Sequence, residues 1–187
     1  MKPEPLRSDQ SELRSLVGRF LTTREEQTFR RIYRICTPSL YQFVFRSVSR
    51  STAVTDEIVQ ETWVRTIERL REFRWDSSFN TWLTGIALNC CREHFRRRER
   101  EMGAPMPESA GKTPALPEKI DLETAIASLP DRSRLVLILH DIEGFGHDEI
   151  AHLLQIEPGT SKSQLSRARD AIRNMLRHNK TGEYTNE

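Results

Sequence analysis

Two stretches of the sequence concentrate basic side chains in a way that suits binding to a polyanion. Residues 92–100 contain five arginines and two glutamates, and residues 159–180 contain six lysines and arginines but a single acid, Asp170. The net charge of the 187-residue chain is only +2, so affinity for nucleic acid must come from such clusters. Basic side chains neutralise backbone phosphates without reading sequence, and arginine can also read guanine edges in a major groove.

The second basic stretch lies on a predicted amphipathic helix that follows a shorter one. Pro158 suits a first-turn position because it has no N–H to lose. Apolar residues then repeat at three- and four-residue steps, at Leu165, Ala168, Ile172 and Met175. The other face carries Lys162, Ser163, Ser166, Arg167 and Arg173. With a short helix over 147–154 and a tight connection, this pattern predicts a helix-turn-helix whose second helix enters a major groove. A solvated surface helix is the alternative that the spacing alone leaves open.

The elements that must position these side chains are all predicted to be helical. Residues 1–10 are expected to be a loose leader. Pro38 is expected to end one helix, and 40–48 to form another. Thr55 or Asp56 is a candidate cap for a helix with a buried stripe at Val59, Trp63, Ile67 and Leu70. A loop over 73–78 precedes a long helix over about 80–100 whose polar edge carries Gly85, Asn89, Arg92 and Arg96.

The distribution of proline and glycine predicts two domains. Residues 102–118 are rich in proline, glycine and small polar residues, which is typical of a flexible linker. The predicted fold is therefore all-α, with a first helical domain over 11–101 and a second, four-helix domain over 119–178 that contains the helix-turn-helix. In the second domain, buried stripes are predicted at Leu122, Ile126 and Leu129 and at Leu135, Ile138, Leu139 and Ile142.

The composition argues against several other classes of protein. Three cysteines (Cys36, Cys90 and Cys91) give no disulfide framework, and the apolar run 135–139 is too short to span a bilayer. The start of the chain lacks the apolar core of a signal peptide. His147 and His152 are five residues apart, whereas a metal-binding pair on one helical face needs a spacing of four. Cys90 and His94 have that spacing, but a buried cysteine in an apolar stripe is far commoner than a ligand. We therefore expect neither an enzyme nor a bound metal or cofactor.

Two motif-bearing stretches together resemble the extracytoplasmic-function group of bacterial RNA polymerase sigma factors. One runs through the motif DEIVQETW at 56–63 and FNTWLTGIALN at 79–89. The other combines LPDR at 129–132, DIEG at 141–144, EIA at 149–151, GTSKS at 159–163 and RAR at 167–169. Both stretches occur in the right order and are separated by a proline-rich linker. The resemblance covers roughly residues 13–178.

The resemblance implies binding to RNA polymerase core and to promoter DNA, both duplex and single-stranded. Its first domain would recognise and melt the −10 element, and its second would read the −35 element. The residues implied for docking on the clamp helices of the polymerase β′ subunit are Asp56, Gln60 and Glu61. Those implied at the −10 element are Trp75, Asp76, Ser77, Asn80, Asn89, Arg92, Arg96 and Arg97. Those implied at the −35 element are Lys162, Ser163, Ser166, Arg167 and Arg169.

Trp75 is the predicted stacking partner of a flipped base, because the loop offers it no apolar stripe to join, whereas Trp63 and Trp82 are predicted to be core residues. Gln155 stands where the family usually has glycine, so a left-handed backbone there would be mildly strained. The family usually has a serine cap where Gly146 and Glu157 stand, a hydrophobic residue at Ser161, and often an arginine at Gln164.

The resemblance further implies a cytoplasmic protein that does not insert into membranes and is held inactive by an anti-sigma factor. A two-domain DNA-binding regulator that does not bind polymerase is the alternative; the acidic face and the loop of the first domain would have no purpose in that case.

Overall fold

A computed structural model describes residues 7–101 and 121–181, and all regular structure within these residues is helical. The predicted linker over 102–118 lies outside the described residues. The helices are α1 (Arg7–Thr23), α2 (Glu26–Ser47), α3 (Thr52–Arg69), α4 (Phe79–Glu101), α5 (Leu122–Ala127), α6 (Asp131–Leu137), α7 (His147–Leu154) and α8 (Pro158–Thr181). A short 3-10 turn, Leu70–Glu72, follows α3, and a π turn, Ile138–Ile142, follows α6. The all-α prediction is confirmed for the described residues. Helix α1 begins inside the stretch predicted to be a loose leader.

Helix α2 continues through Pro38, so the prediction of a break there is wrong. An interior proline removes one helical hydrogen bond and costs about 3 kcal/mol. On both sides of Pro38, however, one helical face is buried, and its members are at most 3% exposed: Ile32, Cys36, Leu40, Phe43 and Val44. Because burying one such side chain contributes about 1.5–3 kcal/mol, the continuous apolar face outweighs the lost hydrogen bond.

Helix α3 begins at Thr52, one turn before the predicted cap. Thr55 is fully buried inside the helix, because the face that packs on the core extends back beyond Val59. Trp63 is 4% exposed, and its Nε1 donates a hydrogen bond to Thr37 Oγ1 at 3.2 Å. This bond satisfies the indole N–H of a core tryptophan, as the sequence predicted for Trp63.

Contacts group the described residues into two units, one from residues 7–44 and 52–93 and the other from residues 45–51, 94–101 and 121–181. The last turns of α2 and α4 therefore belong to the same unit as α5–α8. Within this unit, Arg46 Nε donates to the Glu123 carboxylate at 3.2 Å. The predicted domain bounds place the ends of α2 and α4 with the first domain, and they remain a prediction.

A buried arginine organises the core of the second unit. Arg134 is 1% exposed, and its guanidinium donates to the carbonyls of Ser47 at 2.9 Å, Ala127 at 3.2 Å and Leu129 at 2.6 Å. The carboxylate of Asp131 pairs with Arg134 through one oxygen and with Arg98 through the other. A buried charge is tolerated where ion pairing and hydrogen bonds replace its hydration.

Two predicted stripe residues of the second unit are exposed. Leu122 is 53% exposed, since it opens the short helix α5 and only the following Ala125 and Ile126 face the core. Ile142 is 38% exposed, because the π turn changes the phase of the helix that buries Leu135 and Leu139. The prediction was wrong at these two positions because it assumed a regular period.

The connection between α7 and α8 contains a strained residue. Gln155 ends α7 with φ 56° and ψ 50°, in the left-handed region, which confirms the strain expected from a side chain where glycine is usual. Its backbone N–H closes the helix on the carbonyl of Ala151.

We expect Gln155→Gly to raise the free energy of unfolding by about 0.5–1 kcal/mol. The left-handed conformation costs an L-residue roughly 1–2 kcal/mol, and glycine relieves this strain. Part of the relief is offset because glycine loses more conformational entropy on folding. Urea denaturation of the full chain measures the change. Gln155→Ala is the matched control because it removes the amide but keeps Cβ. Equal stability of the glycine and alanine variants would contradict the strain.

Candidate functional site

The predicted polymerase-binding residues share the exposed face of α3. Asp56, Gln60 and Glu61 are all exposed, and the opposite face of the helix buries Ile58, Val59, Thr62, Trp63 and Thr66. Val64 lies on the exposed face, one turn beyond Gln60, and is 47% exposed. Val64 was not among the residues predicted for this face, although its position off the apolar stripe is a signal that points to it. The face thus combines acidic and polar side chains with one exposed apolar side chain.

Arg65 fixes the carboxylate of Glu61 at the edge of this face. Arg65 Nε donates to Glu61 Oε1 at 2.7 Å, and its two terminal nitrogens donate to Glu93 at 2.8 and 2.6 Å. The hydrogen bonds to Glu93 and then Glu61 raise the pKa of Arg65. The bidentate pairing with Glu93 limits the motion of the Arg65 guanidinium, and the single hydrogen bond from its Nε holds the Glu61 carboxylate beside it.

The loop before α4 is an aromatic cluster. The Phe73 ring lies 4.8 Å from that of Trp75 and stacks on Trp82 at 4.7 Å, and Trp75 lies 6.4 Å from Phe79. The Arg14 guanidinium lies 5.4 Å from the centre of a Trp75 ring. Trp75 is half-buried and packs on other aromatic rings, although the loop offers it no apolar stripe. Part of the indole nevertheless remains open to solvent.

Trp75 also has an unusual backbone. Its φ is +64°, which is a genuine outlier for a bulky side chain. Such conformations cost about 1–3 kcal/mol and persist only where the surroundings enforce them. Here the packing of the indole on Phe73 and Phe79 enforces it. The predicted base-capture residue is therefore held in one orientation.

The first turn of α4 lies beside this aromatic cluster. Ser78 caps the helix, because its Oγ accepts from the backbone N–H of Thr81 at 3.0 Å. Asp76 and Ser77 are exposed. Within the described residues, Asn80 Oδ1 is buried and has no hydrogen-bond partner, which is rare for a buried acceptor.

The cationic edge of α4 is only partly continuous. Asn89 and Arg96 are exposed and Arg92 is half-buried, and their spacing places all three on one edge of the helix. Arg97 is exposed but is rotated by about 100° from Arg96. Three of the four predicted residues therefore form a single edge.

Helix α8 presents all five predicted −35 residues to solvent. Lys162, Ser163, Ser166, Arg167 and Arg169 are exposed, whereas Ser161, Gln164, Leu165, Ala168 and Ile172 are buried. The two sets lie on opposite faces of the helix. This separation is what a helix needs if one face packs on its domain while the other enters a groove.

The two central arginines of α8 differ in their contacts. Arg169 donates to the Asp141 carboxylate through Nε at 3.1 Å and through a terminal nitrogen at 2.6 Å, and this hydrogen bonding raises the pKa of Arg169. Arg169 is therefore anchored to the π turn. Arg167 is exposed on the face that carries Lys162, Ser163 and Ser166.

Helix α7 begins without a side-chain cap. Gly146 precedes it, and the backbone N–H of Gly146 donates to Glu149 Oε2 at 2.7 Å. The glutamate thus supplies one half of a capping box, although glycine stands where the family usually has serine. Helix α7 spans His147–Leu154, as the sequence predicted.

Metal binding and thiol chemistry find no support in the described residues. No group of three or more His, Cys, Asp or Glu side chains there could hold a metal ion. Cys36, Cys90 and Cys91 are buried free thiols, and burial raises the pKa of Cys36 to about 12, so this thiol is not activated as a nucleophile. Within the same residues, no helix combines the length and the apolar character that crossing a bilayer requires.

Comparison with known proteins agrees with this arrangement. The sigma-70 region 2 family matches residues 32–101, and the sigma-70 region 4 family matches residues 119–172. The ECF RNA polymerase sigma-E factor of Escherichia coli strain K12 is 31% identical over 138 residues, which cover 64% of this chain and 72% of that protein. The ECF RNA polymerase sigma factor SigM of Mycobacterium tuberculosis is 28% identical over 160 residues, covering 84% and 79%.

Solved structures show the same fold. The sigma factor RpoE, in complex with the anti-sigma factor NepR from Bartonella quintana, has a TM-score of 0.62 and 26% identity, covering 80% of this chain and 96% of that one. CnrH, in complex with the cytosolic domain of CnrY, has a TM-score of 0.58 and 21% identity, covering 89% and 98%.

The helical fold and the two matched regions define a sigma-70 type transcription factor. Within that class, the chain belongs to the extracytoplasmic-function RNA polymerase sigma factors. It is an alternative sigma factor that binds RNA polymerase core and promoter DNA in transcription initiation.

Proposed function

We propose that three surfaces of this chain divide the work of promoter-specific initiation. The exposed face of α3 (Asp56, Gln60, Glu61 and Val64) docks on the clamp helices of the polymerase β′ subunit. The loop over 73–78, together with the first turn of α4, captures a flipped base of the non-template −10 strand. The exposed face of α8 reads the −35 element. The observation that most supports this division is that an acidic face and a basic face lie on separate helices, since such faces suit different partners.

Base capture is supported by the loop itself. Unstacking a base costs a few kcal/mol, and stacking on an aromatic side chain returns about 1–3 kcal/mol. Trp75 offers part of an indole in an enforced orientation, and Asn80 offers an acceptor that lacks a partner among the described residues. Asn89, Arg92 and Arg96 hold the neighbouring phosphates along one edge of α4, while Arg97 reaches a phosphate from another side of the helix.

At the −35 element, Arg167 reads a base edge and Lys162 contacts a phosphate. Ser163 and Ser166 lie on the same face, where their short side chains allow the DNA backbone to come close on either side. Arg169 has a different role from Arg167, since Asp141 holds its guanidinium; it contributes charge near the DNA while keeping α8 on its domain.

The chain acts in the cytoplasm, where RNA polymerase transcribes, and an anti-sigma factor controls it. Support for this control comes from RpoE, the structural relative bound to an anti-sigma factor. The sigma factor family is not enzymatic, and the proposed role is one of binding only.

Replacing both Gln60 and Val64 with alanine is expected to weaken binding to RNA polymerase core about fivefold, because a few central side chains dominate a protein interface. Fluorescence titration of the labelled chain with core enzyme measures the affinity. Gln27→Ala, which truncates an exposed amide on α2, is the matched control and should leave the affinity unchanged. Equal affinities for all three proteins would contradict docking through α3. Failure of the unaltered chain to bind core would favour the alternative, a regulator that binds DNA without polymerase.

A further inference from the structure

His147 connects the start of α7 to the start of α8. Its Nδ1 lies 2.9 Å from Ser161 Oγ, and Ser161 is fully buried in the first turns of α8. A buried hydroxyl depends on a protein partner for its hydrogen bond. Ser161 stands where the family usually has a hydrophobic residue. The His147 imidazole is therefore its hydrogen-bond partner.

A face of the His147 ring is linked to α8 through a second set of contacts. The ring stacks on His140 with 4.6 Å between centroids. His140 Nδ1 lies 2.8 Å from the Asp141 carboxylate, which in turn accepts two hydrogen bonds from Arg169. Ser161 and Arg169 are eight residues apart, or about 12 Å along a helix. The π turn and α7 thus hold α8 at two points that flank its predicted reading face.

From this geometry we propose that His147, supported by His140, is a positioning residue for −35 recognition, and that it makes the discrimination of −35 sequences dependent on pH. The inference rests on the proposed role of α8 as the −35 reading helix. His147 acts through Ser161 and does not itself read a base.

The chemistry of the contact gives the direction of the effect. A neutral imidazole can accept the Ser161 hydroxyl proton at Nδ1, whereas a protonated ring has donors at both nitrogens and cannot. Protonation would therefore reverse the contact, because Nδ1–H would then donate to Ser161 Oγ and the buried hydroxyl proton would lose its acceptor on the ring. It would also add charge to the stack. Both changes weaken the hold of α7 on the first turns of α8.

Most of the charged and titratable groups around His147 act in the same direction on its pKa. His140 faces it from the π turn, Asp148 lies on its own helix, and Lys162 and Arg169 approach from α8. Burial, followed by the effects of His140, Lys162 and Arg169, lowers the pKa of His147, while Asp148 opposes them. Because folding lowers the pKa of His147, the neutral arrangement is complete above the ordinary histidine value of about 6.5 and is lost only as the pH falls through the lowered pKa of the folded protein.

Affinity alone is a poor measure of this effect. Protonated histidines strengthen attraction to phosphates for every DNA sequence, whereas a loosened α8 weakens only the contacts that require a fixed position. The informative quantity is the ratio of affinities for matched and scrambled −35 sequences, since the general charge effect cancels in it.

The test uses holoenzyme assembled from core polymerase and the full chain, with promoter DNA selected by that holoenzyme from a library randomised at −35. We expect the matched-to-scrambled ratio of the unaltered chain to fall about fivefold between about pH 8 and about pH 5, the lower end of common coupling between sites. His147→Gln keeps an amide oxygen that can accept from Ser161 but does not titrate. It should retain the ratio at the higher pH within about twofold and lose the pH dependence.

His152→Gln is the matched control, because His152 is exposed on the same helix, and it should behave as the unaltered chain. An equal pH dependence in His147→Gln, or a flat ratio in the unaltered chain, would overturn the inference while leaving the role of α8 intact. A ratio near one at the higher pH would contradict that role and the inference with it. Circular dichroism at both pH values checks the helices, and loss of helical signal at the lower pH would overturn the local mechanism.

Discussion

The free energy of unfolding of the full chain is expected to fall by about 3–5 kcal/mol when Arg134 is replaced by methionine. The guanidinium is 1% exposed and donates to three backbone carbonyls besides the Asp131 carboxylate. Methionine fills much of the volume but donates nothing, so these buried acceptors lose a hydrogen bond, at roughly 1–3 kcal/mol for each that stays unsatisfied. Chemical denaturation followed by circular dichroism measures the change.

Arg132→Met is the matched control for this substitution. It removes the same charge from the same helix, but Arg132 is exposed, and exposed charges contribute about 0–1 kcal/mol. Arg134 would be assigned no organising role if the two variants lost similar stability.

Strand opening at the promoter is expected to slow about tenfold to a hundredfold when Trp75 is replaced by alanine, the range that corresponds to 1–3 kcal/mol of lost base stacking. Core binding and formation of the closed complex should change little, because Trp75 lies on neither α3 nor α8. Stopped-flow fluorescence of a base analogue in the −10 element measures the opening rate. On a template already mismatched across −10, the defect should shrink.

Trp75→Gly separates the ring from the backbone in this experiment. Glycine relieves the strain of the left-handed conformation at φ +64°, whereas alanine does not, yet both remove the indole. Loss of stacking predicts the same slow opening in both variants. If the variants stay equally defective on the pre-opened template and are also less heat-stable, the indole only covers the aromatic cluster.

Local rules sufficed to predict the helix-turn-helix but not the long-range contacts. Helix α7 and the start of α8 follow directly from apolar spacing and from Pro158. The predicted helix break at Pro38 was wrong because the burial of residues on both sides outweighs the cost of an interior proline. The bond from Arg134 to Ser47 joins residues 87 positions apart, which periodicity cannot reveal.

The candidate site was predictable to a similar extent. Exposure of the α3 and α8 residues follows from the buried stripes on the opposite faces. The neighbours of Trp75 did not follow, because Phe73 and Trp75 lie in the loop before α4, where no helical period relates their positions to Phe79. Val64 was not among the predicted residues, although it lies off the apolar stripe of α3.

The π turn after α6 constrains the number of residues that this part of the chain can contain. Its signature is the hydrogen bond from the Glu143 N–H to the Ile138 carbonyl at 3.0 Å, which spans five residues where an α-turn spans four. Such a turn is equivalent to a helix that has received a one-residue insertion, and each added residue rotates the next part of the helix by about 100°. Deleting one residue here would restore regular spacing but carry Asp141 out of reach of Arg169. A relative one residue shorter in this turn would need another way to anchor its reading helix. Gaps here in an alignment therefore mark a change in how that helix is anchored rather than neutral drift in loop length.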